Sequence, residues 1–445
     1  MNPYTIYKNK EVLVLGLGVS GGGVGVARFF AKAGAHVTVV DKKSKKELSD
    51  SVRALRTYKS ISYIFGRHPS RIERFDIVVL NPKVDLRSPI VRNIKILAQK
   101  KILRIESEAG LFLKQCKGKI IAVTGTKGKG TTASLIYTML KRGKRDVLLG
   151  GNIGVSLLDM LPRIKKGTYV VFETSSFQLD LLRLAGERPH FFASVLTNIY
   201  SDHLDRYDSF GGYKKSKLSI FTYPATHRID GRKVSGRLPK WIDAKKIKLL
   251  GEHNKKNIAL ATRAALSARV AKKDIAGAVY SFRGLPYRLE YIGNKKGVMF
   301  YNDSYSTTPD STIAALKSLQ TSQSSPERGR GTAKRVILIV GGVSKGVSFS
   351  GFAKETKKRA KTVILFGKSA RAIKRSFIGS PTSDLGSRTS LEIFVMRTLK
   401  EACAKALQQA ERGDIILFSP ACASFDQFRN ARERGELFKK LVGGK

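Results

Sequence analysis

Along this chain, short apolar blocks repeatedly run into glycine and then into a stretch with helical spacing. EVLVLGLGVSGGGVGVARFFAKAGAHVTVVDKK opens with an apolar block at 12–15, turns through glycines, continues amphipathically to Gly34, and meets a second block at 37–40. That order predicts strand, helix, strand. KIIAVTG at 119–125 repeats the theme, with a helix expected over 131–141 that stops at Gly143. A third segment begins near RGLPYRLE (283–290) and carries apolar blocks at 335–342, 362–367 and 414–421, separated by Lys- and Ala-rich helical stretches. Strands alternating with helices imply parallel sheets and an α/β class throughout. The polar stretch QTSQSSPERGRGTAK (320–334) reads as a mobile loop.

Length turns this pattern into a multidomain protein, since 445 residues exceed what one core holds and suggest two or three domains. No apolar run reaches the roughly 18 residues of a membrane span. Lys8 and Lys10 before VLVLGLGVSGGGVGVA imitate a secretory leader, but the glycine spacing fits a strand–turn–helix better. Three widely spaced cysteines, Cys116, Cys403 and Cys422, indicate neither a disulfide framework nor a zinc site, and a reducing cytoplasm is the expected setting. The net charge is +49. The basic residues are spread along the chain, with no arginine-and-aromatic cluster, so no nucleic-acid partner is expected, although anionic substrates would be drawn in.

Two glycine turns carry candidate chemistry. Gly16-Leu17-Gly18-Val19-Ser20-Gly21, with Asp41 twenty residues on, matches a dinucleotide fingerprint in which glycines admit a diphosphate and the acid takes a ribose. Gly125-Thr126-Lys127-Gly128-Lys129-Gly130 lies between a strand and a helix start, where backbone amides hold phosphate oxygens. The usual hydroxyl after the lysine is displaced by one position, to Thr131 with Thr132 behind it. Glu173 and His203 each follow an apolar block, where α/β sheets face their ligands. Taken alone, Glu173 also fits a solvated strand end, His203 a structural histidine, and Lys217 a solvated lysine in a basic run.

Ten motifs in order resolve these choices by resemblance: GLGVSG, VTGTKGKGTT, GGNIG, ETSSFQL, TNIYSDHLDRY, SKLSIF, GEHNKKN, GLPYRLE, YNDSYSTTPDST and SPACASFDQF. The chain resembles the Mur ligases, ATP-dependent enzymes that build the peptide stem of peptidoglycan, and SPACAS-x-DQF is similar to the D-glutamate-adding branch. The resemblance implies three domains: a Rossmann-like one over 1–104 for the UDP substrate, a central P-loop ATPase domain over 105–283, and a Rossmann-like amino-acid-binding domain over 284–445. It implies a cytoplasmic monomer whose substrates are UDP-N-acetylmuramoyl-L-alanine and D-glutamate, with ATP and two Mg2+ ions. By the same resemblance Lys129 holds the β- and γ-phosphates. Thr131, Glu173 and His203 ligate magnesium, and Lys217 joins them as a carbamate. Asn254 and Asn257 line the adenine pocket, while Arg288 and Asp303 reach the nucleotide when the last domain closes. Gly18, Val19, Ser20 and Asp41 take the uridine diphosphate portion and Asn152 the muramoyl peptide, with Ser175 and Gln178 also binding substrate. Thr307, Lys345 and Ser424 surround the D-glutamate side-chain carboxylate, and Phe425 also binds substrate.

The chain departs from that pattern in four places. Tyr305 replaces a lysine near the phosphates, Asn81-Pro82-Lys83 replaces Ser-Pro-Gly beside the uracil, Ala431 replaces an aromatic at the D-glutamate pocket, and the interval from Lys217 to Asn254 is short. Amino-acid identity is therefore less fixed than reaction type. A ligase of another Mur or folylpolyglutamate type, the latter sharing the GTKGKG loop, remains open, as does a nicotinamide dehydrogenase built on the first fingerprint.

Overall fold

A computed structural model of the chain describes residues 5–19, 21–152, 156–203, 205–249, 251–321, 335–344, 346–378 and 391–443. Three sheets account for its strands. The first holds β1 (Glu11–Leu15), β2 (His36–Asp41), β3 (Ile61–Phe65), β4 (Ile77–Leu80) and β5 (Arg104–Glu106), in the order β3-β2-β1-β4-β5. The second holds β6 (Lys119–Thr124), β7 (Val147–Gly151), β8 (Tyr169–Glu173), β9 (Phe191–Leu196) and β10 (Ala225–Asp230), in the order β10-β9-β6-β8-β7. Every pairing in both sheets is parallel. The third holds β11 (Glu290–Lys295), β12 (Val298–Asn302), β13 (Val336–Gly341), β14 (Ala360–Phe366), β15 (Glu392–Met396) and β16 (Ile415–Phe418), in the order β11-β12-β16-β13-β14-β15. Only its edge pair β11–β12 is antiparallel.

Burial on both faces explains why the central strands read as unbroken apolar runs, while edge strands such as β10 and β11 stay half-exposed and polar. In β13, Val336, Leu338 and Val340 join the core on one side, and Ile337 and Ile339 the core on the other. Parallel sheets covered by crossover helices need that composition. The α/β expectation is met. The chain divides into two compact units, one of residues 1–241 with 256–278, the other of residues 242–255 with 279–445. The first unit carries the first two sheets and the second unit the third.

The expected helix at 131–141 spans Lys129–Arg142, because Gly128 in the left-handed region (φ 79°) caps it two residues earlier. The short interval after Lys217 still supplies β10, which closes one edge of the second sheet. Of the polar stretch at 320–334, residues 320–321 end the helix Pro309–Thr321 and the remainder lies outside the described residues.

Candidate active site

In the first unit the P-loop leaves β6 at the centre of the second sheet. Gly125 has φ 147° and sits where a Cβ would fall 1.9 Å from the Thr197 hydroxyl, so only glycine allows this approach. The loop is braced from the segment after β9: the Lys127 amide donates to Asn198 Oδ1 (2.8 Å), and the Thr197 hydroxyl donates to the Lys127 carbonyl (2.6 Å). Lys129 folds back, donating to the carbonyls of Gly125 (2.9 Å) and Thr126 (3.0 Å). Gly130 follows it on the first helical turn. Thr132 is buried and its hydroxyl donates to Asn257 (3.4 Å), whereas Thr131 is half exposed on the same turn. The shifted register therefore leaves Thr131 as the accessible hydroxyl.

Around the loop lie the three other residues of interest. Glu173 ends β8 at 5% exposure and accepts from the Asn152 side-chain amide (3.2 Å), so it is no solvated strand end. His203 has φ 55° and lies edge-on to Phe177 at 5.0 Å. Partial burial, with Lys217 and Lys129 nearby, holds its pKa below the usual histidine value, while Asp202 and Asp205 oppose this. Lys217, in the helix Phe210–Leu218, is 2% exposed. Burial, then the neighbouring Lys129, lowers its pKa to about 7, against the pull of Asp202, Asp180 and Glu173.

Tyr213 was not singled out by the sequence and belongs here. It is buried, its hydroxyl bonds Thr126 Oγ1 (2.9 Å), and the Lys217 ammonium lies over its ring at 5.3 Å. Its position four residues before Lys217, on the same helix face, was the available signal. Ser175 and Gln178 are turned toward each other: they form a capping box at the start of the helix Ser176–Leu184.

The N-terminal fingerprint lies beyond β1. Asp41 accepts from the Gly18 amide (2.9 Å), closing the turn, and Val19 is exposed. Asn81 packs beneath, where a Cβ at Gly16 would lie 2.8 Å from its own. An arginine clasp joins this region to the His203 segment. Arg206 donates to the carbonyls of Lys83 (3.1 Å) and Val84 (2.8 Å), and Arg87 to that of Asp205 (2.8 Å). Arg206 also covers Phe177 at 4.5 Å.

In the second unit, Thr307 and Ser424 follow the adjacent strands β12 and β16 at the carboxyl edge of the third sheet, with Phe425 74% exposed. Asp303 is buried there and accepts from the Leu289 amide (2.9 Å) and from the hydroxyls of Ser306 (2.5 Å) and Ser419 (2.7 Å). Burial raises its pKa to about 6 despite those donors. Arg288 lies over the Tyr305 ring at 5.5 Å, and the Ala431 carbonyl accepts from Ser304 (2.7 Å). Asn254 is buried on the helix Glu252–Ser267, three residues before Asn257. Ser20 and Lys345 lie outside the described residues.

A glycine loop that leaves the central strand of a parallel sheet for a helix N-terminus is built to hold the phosphates of a nucleotide. Comparison with known proteins specifies the family. Residues 10–102 match the profile of the Mur ligase MurD-like N-terminal domain, 123–234 the Mur ligase middle domain, and 287–422 the Mur ligase glutamate ligase domain. The chain is 33% identical to the UDP-N-acetylmuramoylalanine–D-glutamate ligase of Thermoanaerobacter pseudethanolicus over 98% of each protein. It is also 33% identical to the enzyme of that name from Borreliella afzelii, again over 98% of each. Among solved structures, UDP-N-acetylmuramate–alanine ligase from Thermotoga maritima shares the fold, with TM-score 0.59 at 18% identity over 98% of this chain and 99% of that one. The chain belongs to the Mur ligase family, whose members are ATP-dependent, Mg2+-using ligases that form carbon–nitrogen bonds.

Proposed function

We propose that this enzyme adds D-glutamate to UDP-N-acetylmuramoyl-L-alanine, using ATP, by way of an acyl phosphate. The observation that carries the chemistry is the convergence of Lys129, Lys217, Glu173 and His203 around one phosphate loop; the identity of the substrates is supported by end-to-end similarity to D-glutamate ligases. The alanine carboxylate attacks the γ-phosphorus and ADP leaves; the D-glutamate amine then displaces phosphate. Both steps crowd negative charge, so positioning and positive charge do most of the work.

In this reading the P-loop amides and Lys129 hold the β- and γ-phosphates, Asn254 and Asn257 the adenine, and Arg288 and Asp303 the rest of the nucleotide. The N-terminal turn with Asp41 takes the uridine diphosphate, Asn152 the muramoyl peptide, and Thr307, Lys345, Ser424 and Phe425 the amino acid. The domains divide near 104 and 284. Among the described residues no group of three or more His, Cys, Asp or Glu side chains can hold a metal ion. The donors present are Glu173, the His203 imidazole, whose partial burial favours the neutral form, and the Thr131 hydroxyl, a set that fits a cation which keeps water and phosphate oxygens in its shell. Two Mg2+ ions bound there would neutralise phosphate and carboxylate oxygens as charge builds. Lys217 supplies a further oxygen donor once carbamylated: its buried amine sits beside a second cation and opposite acids, where a neutral amine can take up carbon dioxide and become anionic. The reading also places the enzyme in the cytoplasm; no described helix is long and apolar enough to cross a membrane.

Hydroxylamine offered in place of D-glutamate tests the intermediate. The proposal expects the hydroxamate of the UDP-muramoyl-alanine substrate together with ADP. ADP formation without hydroxamate would remove the acyl phosphate. A panel of amino acids offered in parallel should show D-glutamate accepted and L-glutamate refused.

A further inference from the structure

Among the described residues Arg434 is the largest side chain with no exposed surface, and no carboxylate among them hydrogen-bonds it. A buried guanidinium is costly to desolvate unless its donors are filled. Here they are filled mainly by main chain. Nε donates to the Ser304 hydroxyl (3.2 Å) and Nη2 to the Ser304 carbonyl (2.8 Å). Nη1 donates to the carbonyls of Cys422 (3.1 Å) and Gly341 (3.4 Å). Ser304 follows β12, Gly341 ends β13 and Cys422 follows β16, and these are three neighbouring parallel strands in the order β12-β16-β13. One planar fork therefore ties three strand ends together at the sheet edge where α/β proteins bind ligands.

The tied segments are close-packed. At Gly342, φ is 128° and a Cβ would lie 2.1 Å from the Ala423 carbonyl; Val343 and Ala423 exchange backbone hydrogen bonds of 2.8 and 2.9 Å. Ser424 is the next residue on one of these segments, and Thr307 lies three after Ser304 on another. We propose that Arg434 is a positioning residue for the acidic amino-acid substrate: it sets the spacing between the segment that presents Thr307 and the segment that presents Ser424, without touching the substrate. This rests on the reading that those two residues receive D-glutamate. Lysine could keep the charge but lacks the fork that spans three segments.

The test compares wild type, Arg434→Lys, Ser304→Ala and Phe438→Leu by the KM of each substrate and by thermal unfolding. Phe438, on the helix Ala431–Gly443, stacks on Phe418 at 4.8 Å in the core and has no hydrogen-bonding group in its side chain. Arg434→Lys is expected to raise the KM for D-glutamate roughly tenfold, the scale of one lost hydrogen bond to a charged group. The KM values for ATP and UDP-N-acetylmuramoyl-L-alanine should stay near wild type. Ser304→Ala, which leaves the arginine in place, should show the same selectivity at about threefold, and it carries the test if Arg434→Lys does not fold. Phe438→Leu should lower thermal stability with no selective change. A rise in all three KM values, or an effect of Arg434→Lys and Ser304→Ala that only follows stability as in Phe438→Leu, would overturn the inference. Wild type that binds and ligates no D-glutamate would remove the functional reading and this inference with it, and that result appears before any variant is made.

Discussion

Replacing Lys217 by alanine removes an amine held at 2% exposure among Lys129, Glu173 and Tyr213, and leaves a pocket the size of its stem. If the lysine acts as a carbamate, turnover should fall by roughly a thousandfold or more, as for other groups that organise a reacting phosphate. A small carboxylate such as formate should then restore part of it; rescue by ammonium instead would point to the free amine. The two threonines after the loop separate by burial. Thr131→Val should raise the Mg2+ concentration needed for half-maximal rate roughly tenfold with stability unchanged. Thr132→Val should leave that requirement alone and cost about 1 kcal/mol of stability through its lost bond to Asn257. Asp303 gives a pH signature. Its folded pKa of about 6 lies above the unfolded value of 3.8, so between these the folded state binds more protons and this group's contribution to stability falls as pH rises. Wild type should therefore gain up to about 3 kcal/mol relative to Asp303→Asn on going from pH 7 to below pH 4. A flat difference would mean the carboxylate is ionised without penalty.

At the level of elements, the loop between β6 and its helix is fixed by geometry that one methyl group can break. Gly128 has φ 79°, and a Cβ there would stand 2.4 Å from Asn257 Oδ1. Gly128→Ala should cost about 1–2 kcal/mol for the left-handed backbone alone and displace Asn257 as well. Binding of ATP, followed by calorimetry, should weaken more than stability does. The buried central strands β1, β2, β6, β13, β14 and β16 were legible because apolar blocks and glycine stops report burial directly, whereas short or half-exposed strands such as β3, β10, β11 and β15 carry no such block. The P-loop was legible because its residues are consecutive. Tyr213 was legible only as a neighbour of Lys217 one helical turn away; its hydrogen bond to Thr126, 87 positions away, is recorded by no local pattern. Burial of Lys217 was equally invisible: the run KKSK reads as solvated until the fold covers Ser216 and Lys217 and leaves Lys214 and Lys215 exposed. Ser175 and Gln178 show the opposite case, in which an S-x-x-Q spacing that carried a substrate assignment by resemblance is already a complete local capping signal.

Across the whole molecule, 83 basic and 34 acidic residues leave a net charge of +49, and both proposed phosphate-bearing substrates are anions. Such a field raises encounter rates and is screened within roughly 10 Å at 0.1 M salt. kcat/KM for UDP-N-acetylmuramoyl-L-alanine should therefore fall steeply as ionic strength rises, with kcat little changed; a salt-independent kcat/KM would show that the charge does not serve this reaction.

The central claim is a reaction that needs two substrates and one phosphate loop. It is tested most directly by phosphate release from ATP with UDP-N-acetylmuramoyl-L-alanine and D-glutamate supplied together and each omitted in turn, in wild type and in Lys129→Ala. Sustained release is expected only when both are present, with none from the variant. Release that ignores D-glutamate, or that persists without Lys129, would contradict it.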